Sequence, residues 1–251
     1  MAIGIALVTG VSRKIGIGAA IARALAADGV DVFTAYYRPY DTTMPWGSEP
    51  TEAEVVVAEL QAMGVCAAGI ETDLADVNAP ARLFDAAEKE LGMVTILVNN
   101  ATHSVNMGIE ELTAASLDQH YAVNVRGMAL LCAEFVRRFR GENGCIINIT
   151  SGQGAGPMPG ELPYVASKGA VDAFTVTLSA EVAARGIMVN AVDPGITDTG
   201  WIPPELKEKW VAQSPRGRVG QPEDAARLVR FLASPEAGWI TGQIIRSRGG
   251  L

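Results

Sequence analysis

A chain of 251 residues that is 49% hydrophobic and 19% charged, with a net charge of −8, has the make-up of a compact protein with a large core. The negative balance excludes nucleic acid and anionic membrane as main partners, since either wants a basic field. No apolar run nears the ~20 residues of a membrane helix, and the N-terminal Met-Ala-Ile-Gly-Ile-Ala-Leu-Val lacks a basic start, so neither membrane anchor nor signal peptide is expected and the expected location is cytoplasmic.

Residues 3–8 form a short apolar run ending in Thr9-Gly10, and a helical pattern begins at Gly16. This reads as strand, glycine turn, helix. A second strand is expected at 31–36, then a long loop at 38–50, a helix at about 51–63, a strand at 65–71 and a helix at 79–91. The fourth strand, 94–98, is closed by Asn99-Asn100-Ala101, and helical periodicity then runs from about 113 to 139. A strand at 145–149, a helix at about 163–184, a strand at 187–192, an irregular stretch at 197–218, a helix at 222–232 and a strand at 242–247 complete the chain. Apolar strands alternating with helices of ten or more residues indicate parallel strands buried on both faces by crossover helices. The expected fold class is α/β: a doubly wound, Rossmann-type parallel sheet of about seven strands with helices on both faces, one domain over 1–251. Cys66, Cys132 and Cys145 lack CxxC spacing and are expected to be buried thiols in a reducing compartment.

In such a sheet ligands sit outside the carboxyl ends of the strands. The first strand closes with Thr9-Gly10-Val11-Ser12-Arg13-Lys14-Ile15-Gly16-Ile17-Gly18, where glycines let backbone approach a pyrophosphate and the next helix N-terminus favours its charge. The spacing fits neither GxGxxG nor a P-loop. Position after the first strand still favours phosphate binding. The second strand closes with Tyr36-Tyr37-Arg38, without an acidic residue directly after it. Arg38, with Arg13 in the glycine loop, favours NADP(H) over NAD(H), while Asp41 keeps NAD(H) open.

Tyr164 and Lys168 stand four apart at the start of a helix, on one face and about 5–6 Å apart at Cβ. An ammonium there favours the phenolate and lowers the tyrosine pKa, tuning it for proton exchange with an alcohol or ketone. Ser151, closing the fifth strand, is either a turn-forming serine or a donor to a substrate carbonyl.

With these pieces the chain resembles the short-chain dehydrogenase/reductase family in its shorter, single-domain form. The resemblance covers nearly the whole chain: Thr9-Gly10, Asp73-Leu74, Asn99-Asn100-Ala101, Asn124, Ser151 with Tyr164-Val-Ala-Ser-Lys168, Pro194-Gly195 followed by Thr199, Arg218-Val-Gly-Gln-Pro-Glu-Asp224 and Trp239-Ile-Thr-Gly-Gln243. It implies a tetrad in which Tyr164 is the general acid in reduction and base in oxidation, Lys168 lowers its pKa and holds the nicotinamide ribose, Ser151 orients the carbonyl, and Asn124 holds a water linking Lys168 to solvent. It further implies cofactor contacts from Gly10, Ser12, Arg13, Gly16 and Ile17. Asp73 and Leu74 would border the adenine, Asn100 and Ala101 the adenosine side, and Pro194, Gly195, Thr197 and Thr199 the nicotinamide and diphosphate. Two departures stand out: two additional residues, most simply Lys14-Ile15, lengthen the glycine loop, and Thr102 replaces a frequent glycine.

The expected activity is hydride transfer between NADP(H) and a carbonyl or secondary alcohol, with 3-oxoacyl thioester reductases the nearest type. An enoyl-thioester reductase is the alternative, suggested by the long glycine loop and opposed by Ser151 thirteen residues before Tyr164. A non-catalytic dinucleotide-binding sensor would be free to lose the tetrad. Partners are limited to a small carbonyl or alcohol substrate and further copies of the chain, as homotetramer or homodimer. His103 and His120 are too few for a metal site and are expected at the surface or a rim. Trp201, Leu206, Trp210 and Val211 place apolar groups in 197–218, either as a substrate lid or as simple packing of a short helix.

Overall fold

The computed structural model describes residues 4–250. Seven parallel strands form one sheet in the order β3-β2-β1-β4-β5-β6-β7. They are β1 (Ile5–Thr9), β2 (Asp31–Tyr36), β3 (Ala67–Glu71), β4 (Ile96–Asn99), β5 (Gly144–Ile149), β6 (Ile187–Asp193) and β7 (Ile244–Arg246). The expected residue 3 of the first strand lies outside the described residues. The helices are α1 (Ile17–Ala26), α2 (Arg38–Thr42), α3 (Glu52–Ala62), α4 (Ala79–Glu90), α5 (Ala114–His120), α6 (Met128–Arg138), α7 (Leu162–Val182), α8 (Pro204–Gln213) and α9 (Pro222–Leu232).

Side chains of each strand alternate between two cores. Ala6, Val8, Val32 and Val98 face α1, α3 and α9 through Ile21, Leu25, Val56, Leu60 and Val229. Leu7, Phe33, Leu97 and Ile146 face α4, α6 and α7 through Leu83, Phe84, Leu131, Phe135 and Val171. Period-two alternation with apolar residues on both faces is what a sheet covered on both sides demands. From β1 the chain builds outward through β2 and β3, then returns to lay β4 on the other side of β1. The loops after β1 and β4 therefore diverge and leave a crevice at the carboxyl ends.

Four expectations change. The 38–50 loop contains α2, whereas the short helix allowed for within 197–218 is there as α8. The helix expected over 113–139 is interrupted by a π-helical stretch, Tyr121–Gly127. It packs so closely on the turn after β3 that a Cβ on Gly127 would lie 2.7 Å from the Leu74 carbonyl. Cys66 is exposed rather than buried, whereas Cys132 and Cys145 lie inside, where burial pushes both thiols up to about 12. His120 is fully buried rather than at the surface. Its Nδ1 contacts the Ser116 carbonyl at 2.7 Å and its Nε2 accepts the Val105 N–H at 3.2 Å, so packing replaces the solvent a histidine normally seeks.

Candidate active site

A cleft of about 2050 Å³ runs across the carboxyl ends of the strands, from the glycine loop to α8. All the sequence-predicted site residues line it except Arg38 and Asn124.

At the glycine loop, Gly10 has φ +75° and its missing Cβ would fall 2.7 Å from Asn100 Nδ2 and 2.8 Å from Ala101 backbone. On Gly18 a Cβ would lie 2.5 Å from the Gly10 carbonyl. Asn100 braces this tight packing, its Nδ2 donating to the carbonyls of Thr9 (2.9 Å) and Gly10 (3.1 Å). Thr9 Oγ1 accepts the backbone N–H groups of Asn100 and Ala101, both at 3.0 Å. Thr9 is thus a structural partner that sequence reasoning passed over, although its place at a strand end beside Asn-Asn was visible. Lys14-Ile15 turns outward: Lys14 N–H donates to Glu52 at 2.7 Å, and Arg23 donates to the Lys14 carbonyl at 2.8 Å. The start of α1 lines the cleft through Gly16 and Ile17, with no side-chain cap and no acidic residue in its first turn. Tight glycines and an uncompensated helix start fit a pyrophosphate.

The two arginines separate. Arg13 spans the cleft, its Nη2 donating to Thr199 Oγ1 at 3.3 Å, its Nε 3.8 Å from Asp41 and its guanidinium 4.7 Å above the Trp46 ring; burial lowers its pKa. Arg38 is instead held by Glu71 at 2.7 Å on the outer side. The register pairs Tyr36 with Glu71, so the neighbouring strand end supplies the carboxylate that captures it. Tyr40, absent from the sequence-based candidates, donates to the Ser104 carbonyl at 3.0 Å and accepts the Ser104 N–H at 3.2 Å. The segment after β2 is thereby clasped to the segment after β4.

Toward the sheet centre, Ser151 follows β5 and Tyr164 and Lys168 rise from the first turns of α7. Lys168 is 3% exposed, donates to the Ile149 carbonyl at 2.7 Å and has its Nζ 5.6 Å from the Tyr164 ring centre. Burial pulls it down to about 8 against the opposing pull of Asp172. The Tyr164 phenol is raised, not lowered as the spacing led one to expect: burial dominates, the Ser151 hydroxyl beside it works the other way, and Glu161 adds to the rise. Desolvation of an anion in this cavity outweighs the attraction of an ammonium turned toward Ile149.

Asn124 lies behind the cleft wall. Its Oδ1 accepts His103 N–H (2.7 Å) and Thr102 Oγ1–H (3.1 Å), and its Nδ2 donates to the His103 carbonyl and Ser167 Oγ, both at 2.9 Å. Two acceptor sites and two donors of the side chain are thereby all used. Thr102, the departure from glycine, is one of its partners. His103 packs edge-on to His120 at 4.7 Å, and burial lowers both pKa values.

Beyond the reaction centre, Trp201 and Trp210 pair at 5.8 Å and line the cleft with Leu206. Trp201 and Leu206 remain about two-fifths exposed. Among the described residues there is no cluster of potential metal ligands, and no helix is long and apolar enough to cross a membrane.

The family model described as Enoyl-(Acyl carrier protein) reductase matches residues 10–251. The chain is similar to the uncharacterized oxidoreductase YjdA of Bacillus subtilis, 47% identical over 249 residues that cover 98% of this chain and 96% of that protein. It is also similar to the 3-oxoacyl-[acyl-carrier-protein] reductase FabG of Staphylococcus aureus, 36% identical over 250 residues, 98% of this chain and 97% of that one. A solved short-chain dehydrogenase from Burkholderia cenocepacia J2315 in complex with NADP superposes with a TM-score of 0.87 at 35% identity, covering 98% of this chain and 96% of the other. With the sheet order and the strand-end motifs, these similarities make the chain an oxidoreductase that belongs to the short-chain dehydrogenase/reductase family.

Proposed function

We propose that the protein is an NADP(H)-dependent carbonyl reductase in which Ser151, Tyr164 and Lys168 carry the chemistry and Asn124 positions them. The observation that carries this reading is the convergence of Ser151 and Tyr164 on one wall of the cleft, with Lys168 buried behind them. A bound nicotinamide supplies the hydride. Ser151 donates a hydrogen bond to the substrate carbonyl oxygen, and Tyr164 O–H delivers the proton that the oxygen needs as the alcohol forms. Burial moves the phenol further above neutral pH, so Tyr164 enters a reduction protonated, as an acid must. Lys168, with a pKa near 8, holds its proton through most of the neutral range, and its ammonium favours the tyrosinate left when Tyr164 has given up its proton, until a proton from solvent restores the phenol. Asn124 fixes the segment after β4 against α7 through Ser167, next to Lys168.

NADP(H) is favoured because Arg13 presents a guanidinium to the cleft, and a guanidinium matches a phosphate bidentately; Arg38 no longer enters this argument. The solved relative from Burkholderia is an NADP complex. Gly10, Ser12, Gly16 and Ile17 supply the diphosphate cradle, Asp73, Leu74, Asn100 and Ala101 the adenosine side, and Pro194, Gly195, Thr197 and Thr199 the nicotinamide side. Residues 197–218 form a lid whose apolar inner face is the Trp201–Trp210 pair with Leu206. The exposed apolar edge at Trp239, Phe231 and Ile244 supports assembly with further copies, as a homotetramer or homodimer.

The description of the matching family model keeps an enoyl-thioester reductase as the second reading. A serine beside the phenol serves a carbonyl oxygen, which favours carbonyl reduction. Oxidation of NADPH, then NADH, against ketones, 3-oxoacyl thioesters and enoyl thioesters tests this, with Tyr164→Phe as control. Turnover is expected with a ketone or 3-oxoacyl substrate and a loss of about 10²–10⁴-fold in Tyr164→Phe. Cofactor binding without turnover of any substrate points to a sensor, and turnover insensitive to Tyr164→Phe refutes the mechanism.

A further inference from the structure

The substrate side of the cleft holds a cation that the proposed chemistry does not use. Arg248, just after β7, lines the cleft with its side chain 19% exposed. The side chain runs over two glycines: a Cβ on Gly195 would lie 3.0 Å from Arg248 Cγ, and one on Gly152 2.6 Å from Arg248 Nη2. Gly152 directly follows Ser151, and Gly195 directly follows Pro194. The guanidinium therefore lies against the backbone of the residue that follows Ser151.

Its protein partners are few. Asp193, with a side chain 2% exposed, approaches Nε to 3.4 Å, without hydrogen-bond geometry; Nε and Asp193 Oδ2 are both buried without a hydrogen-bond partner. Asp193 Oδ1 accepts the Gly195 N–H at 2.9 Å. No hydrogen bond from either Nη of Arg248 to a protein acceptor occurs among the described residues. The other nearby acid, Asp172, is taken by Thr150 and Gln153, each at 2.5 Å. Glu161 also lines the cleft, and burial raises its pKa. A guanidinium offers five donors in a planar fork, and here its Nη groups lie over Gly152 at the cleft wall. The Asp193 charge makes one further negative charge, rather than two, the better match.

Resting on the reduction proposed above, we propose that Arg248 anchors a substrate carboxylate, so that the substrate class is a short oxo acid whose carboxylate lies a few bonds from the reacting C=O. The carboxylate takes the Nη edge while Asp193 keeps the Nε side, and the carbonyl then reaches Ser151 and Tyr164.

Matched pairs of 2-oxo and 3-oxo acids and their methyl esters, assayed by NADPH oxidation, test this. Wild type is expected to favour acid over ester by at least about tenfold in kcat/KM, the scale of a charge-assisted fork. Arg248→Lys keeps charge without the fork and reduces the ratio. Asp193→Asn combined with Arg248→Gln removes the pair without stranding a buried charge and brings the ratio to about one. Thermal melts and NADPH binding verify that each variant is folded. Calorimetric titration of the same oxo acids into NADPH-loaded protein separates the two ideas. Arg248-dependent binding without turnover upholds the anchor and refutes the reduction. Turnover with no acid preference, a preference unchanged in the double variant, or no acid binding and no turnover overturns the anchor.

Discussion

Replacing Lys168 with methionine is expected to stabilise the protein while abolishing its activity. In the folded chain burial holds the ammonium near 8 instead of the ordinary 10.5. At about 1.4 kcal/mol per tenfold, keeping it charged at pH 7 costs the fold about 3 kcal/mol. Methionine fills a similar volume without that cost but forfeits the hydrogen bond to the Ile149 carbonyl, worth about 1 kcal/mol. A net gain of about 2 kcal/mol follows at pH 7. The sign has a signature: between about 8 and 10.5 the unfolded chain binds the proton and the folded chain does not, so wild-type stability rises with pH across that window. The advantage of Lys168→Met should therefore shrink by about 1 kcal/mol between pH 7 and pH 9. Urea denaturation of both proteins at the two pH values measures this. A variant less stable than wild type at pH 7, or an advantage that does not fall with pH, refutes the assignment of a costly buried ammonium.

Gly18→Ala pushes a methyl against the Gly10 carbonyl and Asn100 Nδ2; the displaced glycine loop should lose NADPH binding by at least about tenfold, checked by fluorescence titration. Arg13→Ala should raise the KM for NADPH by about tenfold and change that for NADH less, whereas Arg38→Ala, which breaks a contact on the outer side, should leave the NADPH/NADH ratio as it was. Asn124→Ala strands partners in Thr102, His103 and Ser167, and should cost about 2–3 kcal/mol in denaturant unfolding as well as activity.

The parallel sheet was legible because each strand is a short apolar run and each crossover a long helix. β2 and α9 have the bounds that periodicity predicts. Tyr164 and Lys168 were legible for a related reason: two residues on one helix face need no tertiary information to be neighbours. Arg38 shows the limit. Its place at a strand end says phosphate, but the pairing of β2 with β3 brings Glu71 to it, and strand pairing is not written in local sequence. The five residues of α2 are too few to show a helical period and begin with Arg-Pro after a strand. His120 is of a residue type usually exposed, and only the fold brings the Val105 N–H that satisfies it. Arg248 escaped because its neighbours, Gly152 and Gly195, reach it from two other strand ends. The direction of the Tyr164 pKa was missed because spacing reports proximity but not desolvation.

The π-helical stretch has a consequence for how this chain can change. A π turn takes up one residue more than an α-helix over nearly the same rotation, so deleting one position within Tyr121–Gly127 would regularise the helix while leaving His120 in its seat and Leu131 and Phe135 in the core they share with α4. Point substitutions leave the residue count unchanged and so preserve the wide turn. The stretch is therefore a local accommodation: a one-residue deletion can reverse it without turning α5 or α6, and what such a change puts at risk is the set of contacts that Asn124 makes from it.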